Sequence, residues 1–282
     1  MKKVRVKIPA KINLTLDVVG VKDGYHEISS LVTGVNLYDY ITVKKRSDKK
    51  VTLTEKGIKA GCITESNNAY KTAILFMHTF KTNGVDIILK KNIPVGGGLG
   101  GSSADIAGVL LAMKKLFGIK KDVKSIADSL GSDSGYMTSG GLAIISGRGD
   151  KVFNLKSQKK FNLLILAQNK MVSAGESYRR FDEQGVVNPP VTDKAVSLLQ
   201  DGNVNEFLSV IKNDLYLPSA SVLPEIRDNI NAVKNAFADK VLMTGSGSAV
   251  YGIFLSKAKR NKAYKQLKAT FGKYVIKAKT LW

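Results

Sequence analysis

Pro94-Val95-Gly96-Gly97-Gly98-Leu99-Gly100-Gly101-Ser102-Ser103-Ala104-Asp105 lies between a short apolar run, Val85 to Leu89, and an apolar-faced segment, Ser102 to Phe117. The flanks predict a strand before the glycines and a long helix after them. Glycines let a backbone adopt positive φ and approach a ligand closely. The helix that follows aims unpaired N–H groups and the positive end of its dipole at an anion. Ser102 and Ser103 add hydroxyl donors. A merely flexible turn would gain nothing from so much backbone entropy, so the stretch reads as a phosphate-binding loop. Gly96, Gly98 and Gly101 formally satisfy G-x-G-x-x-G. Asn92-Ile93-Pro94 separates them from the strand, however, and no acid about 20 residues on sits at a strand end, so a dinucleotide fold is a weak reading. The G-x-x-x-x-G-K-[ST] pattern fails for want of its lysine.

Upstream of the loop, strand-like runs at Val4 to Ile8, Ile12 to Val19, Leu31 to Val35, Ile41 to Lys45 and Val51 to Thr54 are separated by polar turns. Asn67 and Asn68 can cap a helix whose apolar positions Ala73, Phe76, Met77 and Phe80 recur near every 3.6 residues, with His78 off the stripe and exposed. Downstream, helices are predicted at Val123 to Leu130, Glu176 to Asp182, Ala195 to Leu199, Asn205 to Ile211, Pro224 to Phe237 and Ala258 to Phe271. Strands are predicted at Leu142 to Ile145, Phe161 to Ala167 and Ala249 to Leu255, and Gly147 to Asp150 reads as a turn. The pattern is α+β, without a fixed-period repeat.

With 282 residues, 44% of them hydrophobic and 24% charged, the chain has ordinary globular usage, enough for one large or two smaller domains. No apolar stretch approaches the roughly 18 residues of a spanning helix, and the N-terminus lacks the apolar block of a secretory signal. One cysteine, Cys62, excludes an internal disulfide, and no Cys/His cluster has zinc spacing. A cytoplasmic protein is expected. Forty-four Lys and Arg against 23 Asp and Glu give a formal net charge of +21. No nucleic-acid-binding signature accompanies that excess, so a solvated basic surface that draws in polyanionic small molecules is expected rather than a nucleic-acid partner.

Two further segments agree with the glycine loop. Pro9-Ala10-Lys11-Ile12-Asn13-Leu14-Thr15-Leu16, the loop, and Thr244-Gly245-Ser246-Gly247-Ser248-Ala249-Val250-Tyr251 resemble, in that order, the three motifs of the GHMP kinases. The resemblance implies a two-domain GHMP kinase fold of the α+β class. Its N-terminal domain, residues 1–152, would be ribosomal protein S5 domain 2-like and bind ATP, and its C-terminal domain, residues 153–282, ferredoxin-like. It also implies an active site in the interdomain cleft, with ATP and Mg²⁺ as cofactors and no protein metal ligand identified. Asp23-Gly24-Tyr25-His26-Glu27, together with Leu130-Gly131-Ser132-Asp133, Gly140-Gly141 and Gly147-Arg148-Gly149, is similar to one branch of the superfamily. That branch phosphorylates the 2-hydroxyl of a cytidine-diphosphate-linked methylerythritol in non-mevalonate isoprenoid synthesis.

By the same resemblance, Asp133 is the catalytic carboxylate at the acceptor hydroxyl and Lys11 its cationic partner, the charges that phosphoryl transfer needs. Pro94, Gly96, Gly97, Gly98, Leu99, Gly100, Gly101, Ser102 and Ser103 would hold the nucleotide, with Asn67 on the adenine side. Tyr25, His26 and Tyr178 would recognise cytosine by stacking and edge hydrogen bonds. Asn13, Gly245 and Ser246 would contact substrate. Two departures from the family pattern are Ser134-Gly135-Tyr136-Met137, where a proline and aromatics are common, and Ala174, where a hydroxyl residue is common. The alternatives are a GHMP kinase with a homoserine- or mevalonate-like acceptor, or a non-catalytic binding protein of the same fold.

Overall fold

The computed structural model describes residues 2–59, 61–157, 159–168, 170–185 and 188–282. Among them, runs of β-branched residues form strands β1 (Lys3–Asn13), β2 (Asp17–Lys22), β3 (Tyr25–Lys45), β4 (Val51–Gly57) and β5 (Val85–Lys91), with helix α1 (Asn68–Phe80) before β5. Helices α2 (Gly101–Phe117), α3 (Lys124–Leu130) and α4 (Ser134–Ser139) follow, then strands β6 (Leu142–Gly147), β7 (Lys151–Leu155) and β8 (Asn162–Leu166). The rest comprises α5 (Ala174–Gln184), α6 (Thr192–Gln200), α7 (Val204–Val210), α8 (Tyr216–Val222), α9 (Glu225–Asn235), β9 (Lys240–Met243), β10 (Val250–Phe254), α10 (Lys257–Phe271) and β11 (Val275–Leu281).

The chain divides into two compact units, each drawn from several stretches. The first holds residues 1–10, 37–95 and 100–140, and the second holds 11–36, 96–99 and 141–282. In the first unit, β5 pairs parallel with β4 and antiparallel with residues 40–45 of β3. Asn67 starts α1 by accepting a hydrogen bond from the Ala69 N–H at 2.9 Å, a cap worth about 1 kcal/mol. Helix α2 is buried on most sides and packs against α1, where Phe76 meets Phe80 and Phe117. Ile41, Val43, Phe76, Ile87, Leu89, Leu110 and Met113 are fully buried, each contributing roughly 1.5–3 kcal/mol.

In the second unit, β11, β8, β10 and β9 lie in that order, every neighbour antiparallel. Helices α9 and α10 pack on these strands. The order and connections are those of the split β-α-β pairs of a ferredoxin-like domain. β8 reads Asn-Leu-Leu-Ile-Leu, nearly all buried, as a central strand should. Residues 28–33 of β3 pair with β6, which pairs with β7. Helix α6 begins at Thr192 because a distant carboxylate serves its N-terminus: Asp17 Oδ2 accepts from the Val191 and Thr192 N–H groups and from the Thr192 hydroxyl, at 2.7–2.9 Å. Among the described residues no helix is long and apolar enough to cross a membrane.

Candidate active site

The end of β1, residues 96–99 of the glycine loop and the turn between β9 and β10 are tied together inside the second unit, and Asn13 is the knot. Its Oδ1 accepts from Lys11 Nζ at 2.9 Å, from the Gly245 N–H at 2.9 Å and from Thr244 Oγ1 at 3.3 Å. Its Nδ2 donates to Ser30 Oγ at 2.8 Å, its N–H to Thr244 Oγ1 at 3.1 Å, and its carbonyl accepts from Tyr251 OH at 2.7 Å. Burial raises the Tyr251 phenol well above its ordinary pKa, so it stays a donor. The Lys11 N–H donates to the Leu99 carbonyl, Thr244 Oγ1 leans on the Gly98 carbonyl, and the Ala249 N–H donates to the Gly97 carbonyl. Gly98 has φ +73°, and a Cβ there would stand 2.1 Å from the Thr244 carbonyl oxygen, so both conformation and space demand glycine. Ser246 Oγ reaches the Val172 carbonyl at 3.4 Å. Lys11, Asn13, Gly97, Gly98, Leu99 and Gly245 are thus gathered, with the Lys11 ammonium aimed by a neutral amide in a side chain only 4% exposed.

The remainder of the loop belongs to the first unit. Gly100, at φ +73°, precedes α2, whose first turn has no side-chain cap and whose amides face the loop. Ser102 Oγ accepts from Asn68 Nδ2. The Asn67 side chain, besides capping α1, donates to Glu55 Oε1 at 3.1 Å. Asp133 is the half-buried residue from which α4 starts, and its carbonyl receives the Met137 N–H. Burial, helped by the Asp133 charge, raises the Tyr136 phenol far above its usual range. Gly135, one of the departures from the family pattern, has a physical reason: a Cβ there would lie 1.8 Å from Asp128 Oδ1 of α3. Where the sequence suggests looseness, α4 is fitted closely to α3. Asp133 belongs to the first unit and Lys11 to the second.

The residues expected to recognise cytosine all lie in the second unit. His26 stacks on Tyr178 with ring centroids 4.5 Å apart and planes 13° from parallel, while Phe181 meets it edge-on at 6.3 Å. His26 Nε2 is 2.7 Å from Asp182 Oδ1. Tyr25 stands outside this stack, half exposed, with the Arg148 guanidinium 3.4 Å from its ring centre. Arg148 and Asp182 escaped the sequence reading, although Arg148 lies in a quoted glycine motif. Thr244 and Tyr251 likewise sit in the third motif without an expected role. Ala174 is the exposed first residue of α5, and Ser173 beside it caps the helix through the Glu176 N–H at 3.1 Å.

This arrangement, a glycine loop tied to the end of β1 and to the turn between β9 and β10 beside a ferredoxin-like sheet, defines a small-molecule kinase of the GHMP class. The models of the GHMP kinases N terminal domain and of the GHMP kinases C terminal match residues 67–148 and 195–273. The 4-diphosphocytidyl-2-C-methyl-D-erythritol kinase of Caldicellulosiruptor saccharolyticus is 36% identical over 276 residues, covering 96% of this chain and 95% of its own. A solved 4-(cytidine 5'-diphospho)-2C-methyl-D-erythritol kinase superposes with a TM-score of 0.84 at 28% identity, covering 99% of this chain and all of that one. The mevalonate kinase of L. major covers 99% of this chain and 97% of its own with a TM-score of 0.74, but at 13% identity it shares only the fold. The chain belongs to the GHMP kinases and, within them, to the 4-diphosphocytidyl-2-C-methyl-D-erythritol kinase family. It is an ATP-dependent small-molecule kinase.

Proposed function

We propose that the protein transfers the γ-phosphoryl group of ATP to the 2-hydroxyl of 4-diphosphocytidyl-2-C-methyl-D-erythritol, a step in the non-mevalonate synthesis of isoprenoid precursors. The observation that carries the choice of acceptor is the grouping of His26 and Tyr178, with Tyr25 next to His26 in β3: His26 and Tyr178 lie directly on each other, so a nucleobase would stack on the outer faces of these rings. Homoserine and mevalonate offer no base to such rings. The full-length identity to family members supports the same reading. The family matches at 67–148 and 195–273 fall on either side of a division into an ATP-binding part, 1–152, and a C-terminal part, 153–282.

In this reading the loop from Pro94 to Ser103 receives the phosphates on its amides and on the first turn of α2. The Asn67 segment serves the adenine. Asp133 takes or balances the proton of the acceptor hydroxyl, and Lys11, its ammonium aimed by Asn13, offsets negative charge that grows in the transition state. Asn13, Gly245 and Ser246 hold the sugar phosphate in register. Among the described residues no group of three or more His, Cys, Asp or Glu could hold a metal ion. Mg²⁺ would arrive with ATP, bound chiefly to its phosphates. In this reading the enzyme acts on small molecules in the cytoplasm.

ADP release from purified protein with ATP, Mg²⁺ and the cytidyl substrate, beside homoserine and mevalonate, tests this. Turnover is expected only with the cytidyl substrate and falls by about 10²-fold or more in Asp133→Asn, the lower end of the scale for losing a general base. Turnover with either rival acceptor in its place would overturn the assignment.

A further inference from the structure

Three ionisable side chains lie buried together at the root of the glycine loop, and the chemistry of phosphoryl transfer does not use them. Lys91, the last residue of β5, is 2% exposed, Asp39 of β3 is 0% exposed, and Asp105 lies in the first turns of α2. Lys91 Nζ donates to Asp39 Oδ2 at 2.9 Å and to Asp105 Oδ2 at 2.6 Å. A buried ion cluster is often no better for stability than apolar residues of the same volume, so stability alone does not account for it. Its contacts with the backbone do. Asp39 Oδ1 accepts from the N–H groups of Asn92 and Ile93, at 2.6 and 2.9 Å, the two residues that lead into Pro94. Lys91 Nζ also faces the Gly101 carbonyl at 3.4 Å, the first residue of α2. One cluster therefore holds both the entrance and the exit of a loop whose glycines have no side chains to place themselves.

We propose that Lys91, Asp39 and Asp105 are positioning residues for the nucleotide: they fix the two ends of the Pro94–Ser103 loop so that its amides meet the phosphates in register. The inference rests on the reading that this loop binds ATP. Reactive geometry tolerates only about 0.5 Å of misplacement, and a shift near 1 Å can cost about 10²-fold. Loosening the cluster should therefore reach the nucleotide first and leave the base-recognition rings in the second unit untouched.

The test is calorimetric titration of the full chain with ADP and, separately, with the cytidyl substrate, for wild type, Lys91→Met and Asp105→Asn, alongside thermal melting and the KM for ATP. Wild-type binding of neither ligand would remove the kinase reading itself, and the inference with it, before any variant is considered. Lys91→Met is expected to weaken ADP by about tenfold or more and Asp105→Asn by about threefold, with the cytidyl substrate unchanged within about twofold. KM for ATP should rise more than kcat falls. If Lys91→Met does not fold, the same comparison on Asp105→Asn decides. Equal weakening of both ligands, or a lowered melting temperature with ADP affinity intact, would make the cluster a structural element only and overturn the proposal.

Discussion

Asn13 shows how much one amide can organise. As a carbonyl oxygen with three donors and an NH₂ that reaches Ser30, it couples Lys11, the turn at Gly245 and β3. From sequence it is legible as part of a motif, but its hydrogen-bond network is not, because burial and partners more than 200 residues away leave no local trace. Asn13→Ala strands buried donors, each costing about 1–3 kcal/mol, so urea unfolding should show a loss of at least about 2 kcal/mol. Asp105 offers a second prediction at this scale. Burial pushes its carboxyl up to about 7 against the pull of Lys91, with Asp39 and Glu55 adding repulsion, and its Oδ1 is buried with no hydrogen-bond partner. A carboxyl whose folded pKa exceeds its unfolded one favours folding most when protonated. The stability of wild type relative to Asp105→Asn should therefore grow as pH falls from 8 toward 5, by up to ~1.4 kcal/mol per pH unit below 7. A flat difference in denaturation midpoints across that range would refute it.

Among the elements, α4, which starts from Asp133, is one the sequence hid. Ser-Gly-Tyr-Met-Thr-Ser is too short to show a helical period, and its glycine suggests a turn. The approach of Asp128 to that glycine can be tested in a pair. Gly135→Ala should cost no more than about 1 kcal/mol in thermal melting, because the Asp128 carboxylate it meets is the end of a flexible side chain that can turn aside, and adding Asp128→Ala should recover what is lost. Other elements were legible to within a few residues: α1 with its Asn67 cap, α2, β5, β8 and α10 all follow strong periods or apolar runs. The missed ones have physical excuses. β9 is four residues long, α8 bears Pro218 inside its first turn, and β11 alternates lysines outward so that it reads as a basic tail until paired with β8.

At the scale of the whole molecule, a formal charge of +21 meets two polyanionic ligands. Long-range attraction speeds encounter and is screened by salt, with a Debye length of about 10 Å at 0.1 M and 3 Å at 1 M. The units are assembled from interleaved stretches, so that the chain passes from one to the other at residues 10/11, 36/37, 95/96, 99/100 and 140/141. The glycine loop contains two of those passages, and β3 contains another. Sequence periodicity could not reveal this, because a strand that changes unit midway keeps the same alternation throughout. For recombination between relatives, the arrangement sets a barrier: no single crossover can exchange one compact unit for its counterpart. Exchanging the whole second unit takes five junctions, two of them inside the glycine loop, and a chimera that keeps its own loop still needs three, at 10/11, 36/37 and 140/141.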